Sequence, residues 1–214
     1  MALWPLVAAI VATAFAVATW RAARGPGALR VWAFAIAQFA VASFALAWGV
    51  AFGWTSWLYR FFYLFGAVLN VGWLALGSVR LFTGKWWSAF ATGAVLLASA
   101  CATYEVVSTP LVHGAMHVLA STKLPEPKAI MPAGARVFAI LFSIGGSVVV
   151  LLGLAYSLLR RRRHALGLGL LTVGVIVTGV AGELAHVGLV GWFSALLAVG
   201  IVLMYGGFVR TRST

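Results

Sequence analysis

Seven stretches of this 214-residue chain stay apolar for about 20 residues each, at roughly 3–20, 31–51, 58–81, 87–107, 136–159, 165–187 and 190–208. Continuous apolar runs, without the two-residue alternation of a half-buried strand, predict helices. At ~1.5 Å rise per residue each run is long enough to cross the hydrocarbon core of a bilayer. Lipid offers no partner to a backbone N–H or C=O, so a spanning segment must satisfy those groups internally, as a helix does. The expected architecture is therefore all-α: a polytopic integral membrane protein folded as one seven-helix bundle over residues 1–214.

The positions between the runs set an orientation. One side of the alternating topology collects Arg21, Arg24, Arg30, Arg80, Lys85, Arg160, Arg161, Arg162, Arg163, Arg210 and Arg212, eleven cations. The other collects four: Arg60, Lys123, Lys128 and Arg136. Basic residues accumulate on the cytoplasmic side, which places the N-terminus outside, the C-terminus in the cytoplasm and the chain in the plasma (inner) membrane. The first run has no basic residues ahead of it, unlike a cleaved signal peptide, and reads as a retained span. Trp54, Trp57 and Tyr59 fit an aromatic belt at the outer edge, and Trp86 and Trp87 one at the inner edge. The run of four arginines at 160–163 favours anionic lipid at the cytoplasmic face.

The outer loop, about 108–135, carries Pro110, Pro125, Pro127 and Pro132, so it cannot be one helix. Its first part, PLVHGAMHVLAS, is expected as a short helix lying on the outer surface. Glycines promise close helix contacts: Gly49 and Gly53 form a GxxxG, and Gly174, Gly179 and Gly182 mark the sixth run as the centre of the bundle. Arg60-FFYLFGAVLN and Arg136-VFAILFSIGGS can also be overlaid. Each opens a run, crosses a basic turn and returns to a Glu, which suggests a two-span repeat over 58–107 and 136–187.

Composition confirms the solvent and removes some functions. The chain is 64% hydrophobic and 8% charged, against about 25% charged for soluble domains. Its net charge of +12 does not point to nucleic acid, because the cations mark the gaps between runs instead of forming one face. A single cysteine, Cys101, allows no internal disulfide. Seven spans with an outer N-terminus resemble the architecture of microbial rhodopsins. The seventh run, WFSALLAVGIVLMYGGFV, has no Lys, which excludes a retinal Schiff base of that form. Seven-span sugar transporters carry Pro-Gln pairs that are missing here, and seven-span membrane hydrolases need an Asp, of which there is none.

The candidate chemistry lies in one outer layer. Glu105 falls 20 residues after Lys85, and Glu183 falls 20 after Arg163. Both therefore lie about 30 Å from the inner anchors. Arg60 and Arg136 open their runs at the same level, and His113 and His117 sit in the adjoining loop. One reading is structural, with Glu105 and Glu183 paired to Arg60 and Arg136. A second is a divalent transition-metal site. Glu183 and His186 share a helix face, His113 and His117 share one if the loop start is helical, and Glu105 completes the set, with Cys101 one turn before it. A third is proton handling by the same acids and histidines. The leading function is transport, sensing or an accessory-subunit role at an outward-facing Glu/His site. The alternatives are a metal-dependent membrane enzyme and a structural subunit that binds membrane-protein partners or its own copies. A cysteine placed at Ser121 is expected to react with an impermeant thiol reagent from outside, and one at Arg162 is not; the reverse pattern ends the orientation argument.

Overall fold

The computed structural model describes residues 2–24, 27–121, 124–160, 165–186 and 189–213, with backbone only at Met116, Ala120, Ser121, Arg160, Glu183, Ala185, His186, Val190 and Ser213. The described residues are helical, without strands. Seven of their helices are long and apolar enough to cross a membrane. These are α1 (Leu3–Ala22), α2 (Ala28–Phe52), α3 (Ser56–Phe82), α4 (Lys85–Ser108), α7 (Ala133–Leu159), α8 (Ala165–His186) and α9 (Val190–Ser213). The loop between α4 and α7 holds two short helices, α5 (Ala115–Ser121) and α6 (Pro127–Ile130). The seven apolar runs of the sequence thus map one to one onto helices. The ends shift by a few residues because helices continue past the apolar stretch into polar flanks.

Local chemistry fixes the turns. Gly53 ends α2 at φ +96°, and its N–H donates to the Gly49 carbonyl at 3.0 Å. Only glycine adopts that backbone without strain. Thr55 then starts α3, its hydroxyl accepting the Leu58 N–H at 3.2 Å. The GxxxG of the sequence is therefore a turn and a landing site. The Trp54 ring folds back onto Gly49, where a Cβ would collide with it.

The long helices form a ring in the order α1, α2, α3, α7, α8, α9, closed by α9 against α1. Helix α4 stands outside the ring against α3 and α7. The central helix is α3, 56% of whose most apolar window is buried, against 22% for α8 and 11% for α4. This corrects the expectation that the glycine-rich sixth run is the hub. Its glycines serve a single neighbour. A Cβ on Gly174 would stand 2.7 Å from the Gly200 carbonyl, and one on Gly207 would stand 2.6 Å from the Gly167 carbonyl. Small residues thus draw α8 and α9 into a tight pair, while Gly179 and Gly182 face open space.

Helices α3 and α7 each contain a π-helical segment, Tyr63–Leu69 and Leu141–Gly145. The two segments end nine residues after Arg60 and Arg136 respectively. They touch each other in the middle of the bundle. There Gly146 packs against the Val71 backbone, and Phe142 covers Gly72. A Cβ on Gly146 would sit 2.9 Å from the Val71 carbonyl oxygen, a backbone atom that cannot swing aside. Gly146→Ala should therefore cost about 1–3 kcal/mol of stability. Gly93→Ala on the open face of α4, where nothing lies within 4 Å, should be neutral or gain up to ~1 kcal/mol of helix propensity. Detergent-denaturation midpoints of the two variants check the contrast.

Candidate functional site

The ends of the bundle differ in chemistry. One, the loop end, carries residues 109–121 and 124–132, Arg60, Glu105 and Arg136. The other, the arginine end, carries Arg30, Arg80 and Arg212. The last turn of α4 reaches the loop end with carbonyls that no later residue of the helix can satisfy. Arg60, in the first turns of α3, meets them. Its guanidinium donates to the Val106 carbonyl and, at 2.9 Å, to the Thr109 carbonyl. A cation on a helix C-terminus also matches the helix dipole.

Glu105 is placed by the opposite logic. Its Oε2 accepts the Thr109 hydroxyl at 3.0 Å. Its Oε1 rests on Gly134, where a Cβ would collide with it. Gly134 lies in the first turn of α7, so the carboxylate stands at the positive end of that helix. Arg60 and Glu105 are thus matched to helix ends, and neither Arg60 nor Arg136 meets a carboxylate among the described residues. Arg136 opens α7 within electrostatic reach of Tyr63. Its Nε is buried without a hydrogen-bond partner.

The loop plugs the end of the bundle instead of lying over it. Leu119, Pro125, Ile130 and Met131 are almost fully buried, and all but Pro125 belong to one cluster with Tyr59, Tyr63, Val106 and Ala135. The loop closes on itself through Val112 N–H to the Ile130 carbonyl at 3.0 Å. The Tyr59 hydroxyl donates to the Pro125 carbonyl at 3.1 Å across the interface. Tyr59 and Trp54, belt residues by their place in the sequence, are 0% and 7% exposed, while Trp57, Trp86 and Trp87 are exposed.

The histidines of the loop point elsewhere. His113 lies in the turn before α5, next to Gly114 at φ +82°, so it does not share a helical face with His117. Both are exposed. Cys101, Tyr104, Glu105 and Phe138 line a shallow open cleft. The backbone of Glu183 and His186 forms the last turn of α8, one turn beyond Ala181, which packs in the same cluster as the loop. The side chains of both lie outside the described residues. Among the described residues, no three of His, Cys, Asp and Glu come close enough to hold a metal.

A second polar level, hinted at in the sequence only by Asn70, lies in the middle of the bundle. Trp32 on α2 donates to the Leu74 carbonyl of α3 at 3.1 Å, and Ala42 meets Gly66. Those contacts set Gln38 opposite Asn70. The same antiparallel register between α3 and α4, fixed by Arg60 at Val106 and Arg80 at Thr92, sets Ser99 at that level. Gln38 and Asn70 are 3% and 4% exposed. Both amide atoms of Gln38 and the hydroxyl of Ser99 are buried without a partner. A lone polar residue in each apolar run is a weak signal, and only the helix register reveals that they coincide.

No family model, curated protein or solved structure matches this chain. The geometry alone therefore carries the chemistry of this end. Arg60→Met leaves the α4 carbonyls without a donor and should cost on the order of 2 kcal/mol. Arg60→Lys, which keeps the charge but loses the two-pronged fork, should recover only part of that. Thermal unfolding of the purified variants measures both.

Proposed function

We propose that this chain is a non-enzymatic transport protein of the plasma membrane. Its N-terminus lies outside, its C-terminus in the cytoplasm, and its loop end is an outward-facing site for a small polar or anionic solute. The positive-inside rule supports the orientation. Arg60, Glu105 and Arg136 form the site, Glu183 and His186 complete it from the end of α8, and residues 109–132 are its lid. His113 and His117 lie on the exposed side of that lid.

One observation carries the reading. The π-helical segments of α3 and α7, at the same offset from Arg60 and Arg136, meet in mid-bundle beside the buried Asn70. Transporters commonly bind solute at the midplane interface of two repeated units, where helices depart from regular α geometry. The two-span units 58–107 and 136–187 fit that plan. Buried groups without partners cost about 1–3 kcal/mol each. Arg136 at the loop end and Gln38 and Ser99 at the level of Asn70 are such groups; a solute route joining the two levels would give them partners, which a purely structural subunit does not need.

The test is accessibility along that path. Asn70→Cys in a Cys101→Ser background should react with a charged, impermeant thiol reagent added at the loop side. Tyr59→Phe removes one hydrogen bond of the lid, worth ~1 kcal/mol, and should speed the reaction about fivefold. A cysteine at 70 that stays unlabelled in both backgrounds overturns the transport reading in favour of a structural subunit. Stoichiometric metal in the purified protein, lost in Glu183→Ala and His186→Ala, replaces it with the metal-dependent enzyme.

A further inference from the structure

The arginine end holds a cavity that the proposed solute path does not use. Its volume is about 260 Å³, and five of the six ring helices line it. Leu29 and Trp32 come from α2, Leu81 and Phe82 from α3, Leu154 from α7, Leu168 and Leu171 from α8, and Phe208 from α9. These residues occupy the outermost two turns of their helices, the level at which a spanning bundle meets the junction of headgroups and acyl chains.

Three of the polar groups in its lining are already satisfied within the protein, which leaves the Ser157 hydroxyl and Arg212. Ser78 donates to the Leu74 carbonyl, Thr211 to the Phe208 carbonyl, and Trp32 Nε1 to the Leu74 carbonyl. What remains is an apolar wall with one cation at its rim, Arg212, stacked over the Phe208 ring at 5.6 Å. Arg30 and Arg80 belong to the same end but are engaged away from the cavity, Arg30 over the Trp20 ring at 5.2 Å and Arg80 with the Thr92 hydroxyl at 2.9 Å. None of the three acidic side chains of the chain is at this end: Glu105 and Glu126 belong to the loop end, and Glu183 to the last turn of α8. Among the described residues, no carboxylate side chain therefore stands beside Arg212.

We infer that this cavity takes one acyl chain of an anionic phospholipid, whose headgroup phosphate is held by Arg212 at the rim. An apolar hole at this depth fills at least cost with hydrocarbon, and an unneutralised basic rim selects an anionic headgroup. The size sets a limit. Pockets for drug-sized ligands measure about 300–1,000 Å³, so this one admits a segment of a single chain and leaves the remainder of the lipid in the bilayer. The inference uses none of the loop-end residues and stands or falls apart from the transport reading.

The experiment uses the full chain in nanodiscs and brominated-chain lipids, which quench nearby tryptophan. The Trp32 signal is the difference between the wild type and Trp32→Phe. Brominated phosphatidylglycerol should quench that component more strongly than brominated phosphatidylcholine at equal content. Arg212→Gln, a surface change that leaves the fold intact, should weaken the phosphatidylglycerol effect about fivefold, the share of one cation at a membrane surface. Ser157→Phe, which fills the cavity from α7, should abolish the Trp32 quenching by both lipids. Equal quenching by the two lipids, or quenching unchanged in both variants, overturns the inference. Should Ser157→Phe fail to fold, the phosphatidylglycerol preference and its loss in Arg212→Gln decide the matter alone.

Discussion

The last turn of α4 imposes the constraint on which the rest of the loop end depends. A helix that finishes among apolar neighbours exposes carbonyls that neither lipid nor side-chain hydrocarbon can satisfy. Leaving them bare costs more than holding a cation there, so Arg60 is drawn out of α3 and across to Val106 and Thr109. That reach fixes how far α4 stands from α3, although α4 buries little surface of its own. It also fixes where the chain leaves α4, and therefore where the loop begins its descent into the bundle. Glu105, one turn before the cap, is left to face the start of α7, where a helix N-terminus welcomes it. One set of unsatisfied carbonyls thus organises two helices, the loop and the first turn of a third.

The seven long helices were legible in the sequence because lipid leaves a coarse signature. About 20 apolar residues in a row suit a membrane span and little else. That Arg60, Glu105 and Arg136 share one end of the bundle was legible too, since rise per residue is constant along a helix. The partners were not. Sequence distance alone makes an ion pair between Glu105 and Arg60 look natural, but the choice between a carboxylate and a row of carbonyls depends on how the chain turns after Ser108. The loop hides its packing for a related reason. Its apolar residues, Leu119, Pro125, Ile130 and Met131, follow no helical or strand period, because prolines break the segment into pieces. Only tertiary packing shows that they plug the bundle together. Glycine misleads in the same way: a small residue announces a close approach but does not name the neighbour.

The two units that open with Arg60 and Arg136 share a π-helical offset yet differ in company. Helix α4 has little packed against it beyond α3 and α7, while α8 is clamped to α9 along its glycines. A clamped helix moves with its partner. A helix held mainly by one arginine fork and a few contacts is released at far lower cost, because local openings follow the elements with least buried contact. By that measure α4 is the least anchored of the long helices, and α8 with α9 forms a tightly packed pair. The π-helical segments of α3 and α7 touch each other beside Asn70.

This arrangement explains why Arg136 is not held as Arg60 is. Arg60 spends two donors on carbonyls, so its position is structural and its charge is largely occupied. Arg136 occupies the equivalent place in the second unit, but the segment before it, Met131 and Pro132, runs as extended backbone into the plug. No free helix end lies within its reach among the described residues. Its Nε stays buried without a partner, a cost that the fold carries at the point where lid, α3 and α7 converge. In the proposed transport role, Arg60 is the strut and Arg136 the cation that meets the solute.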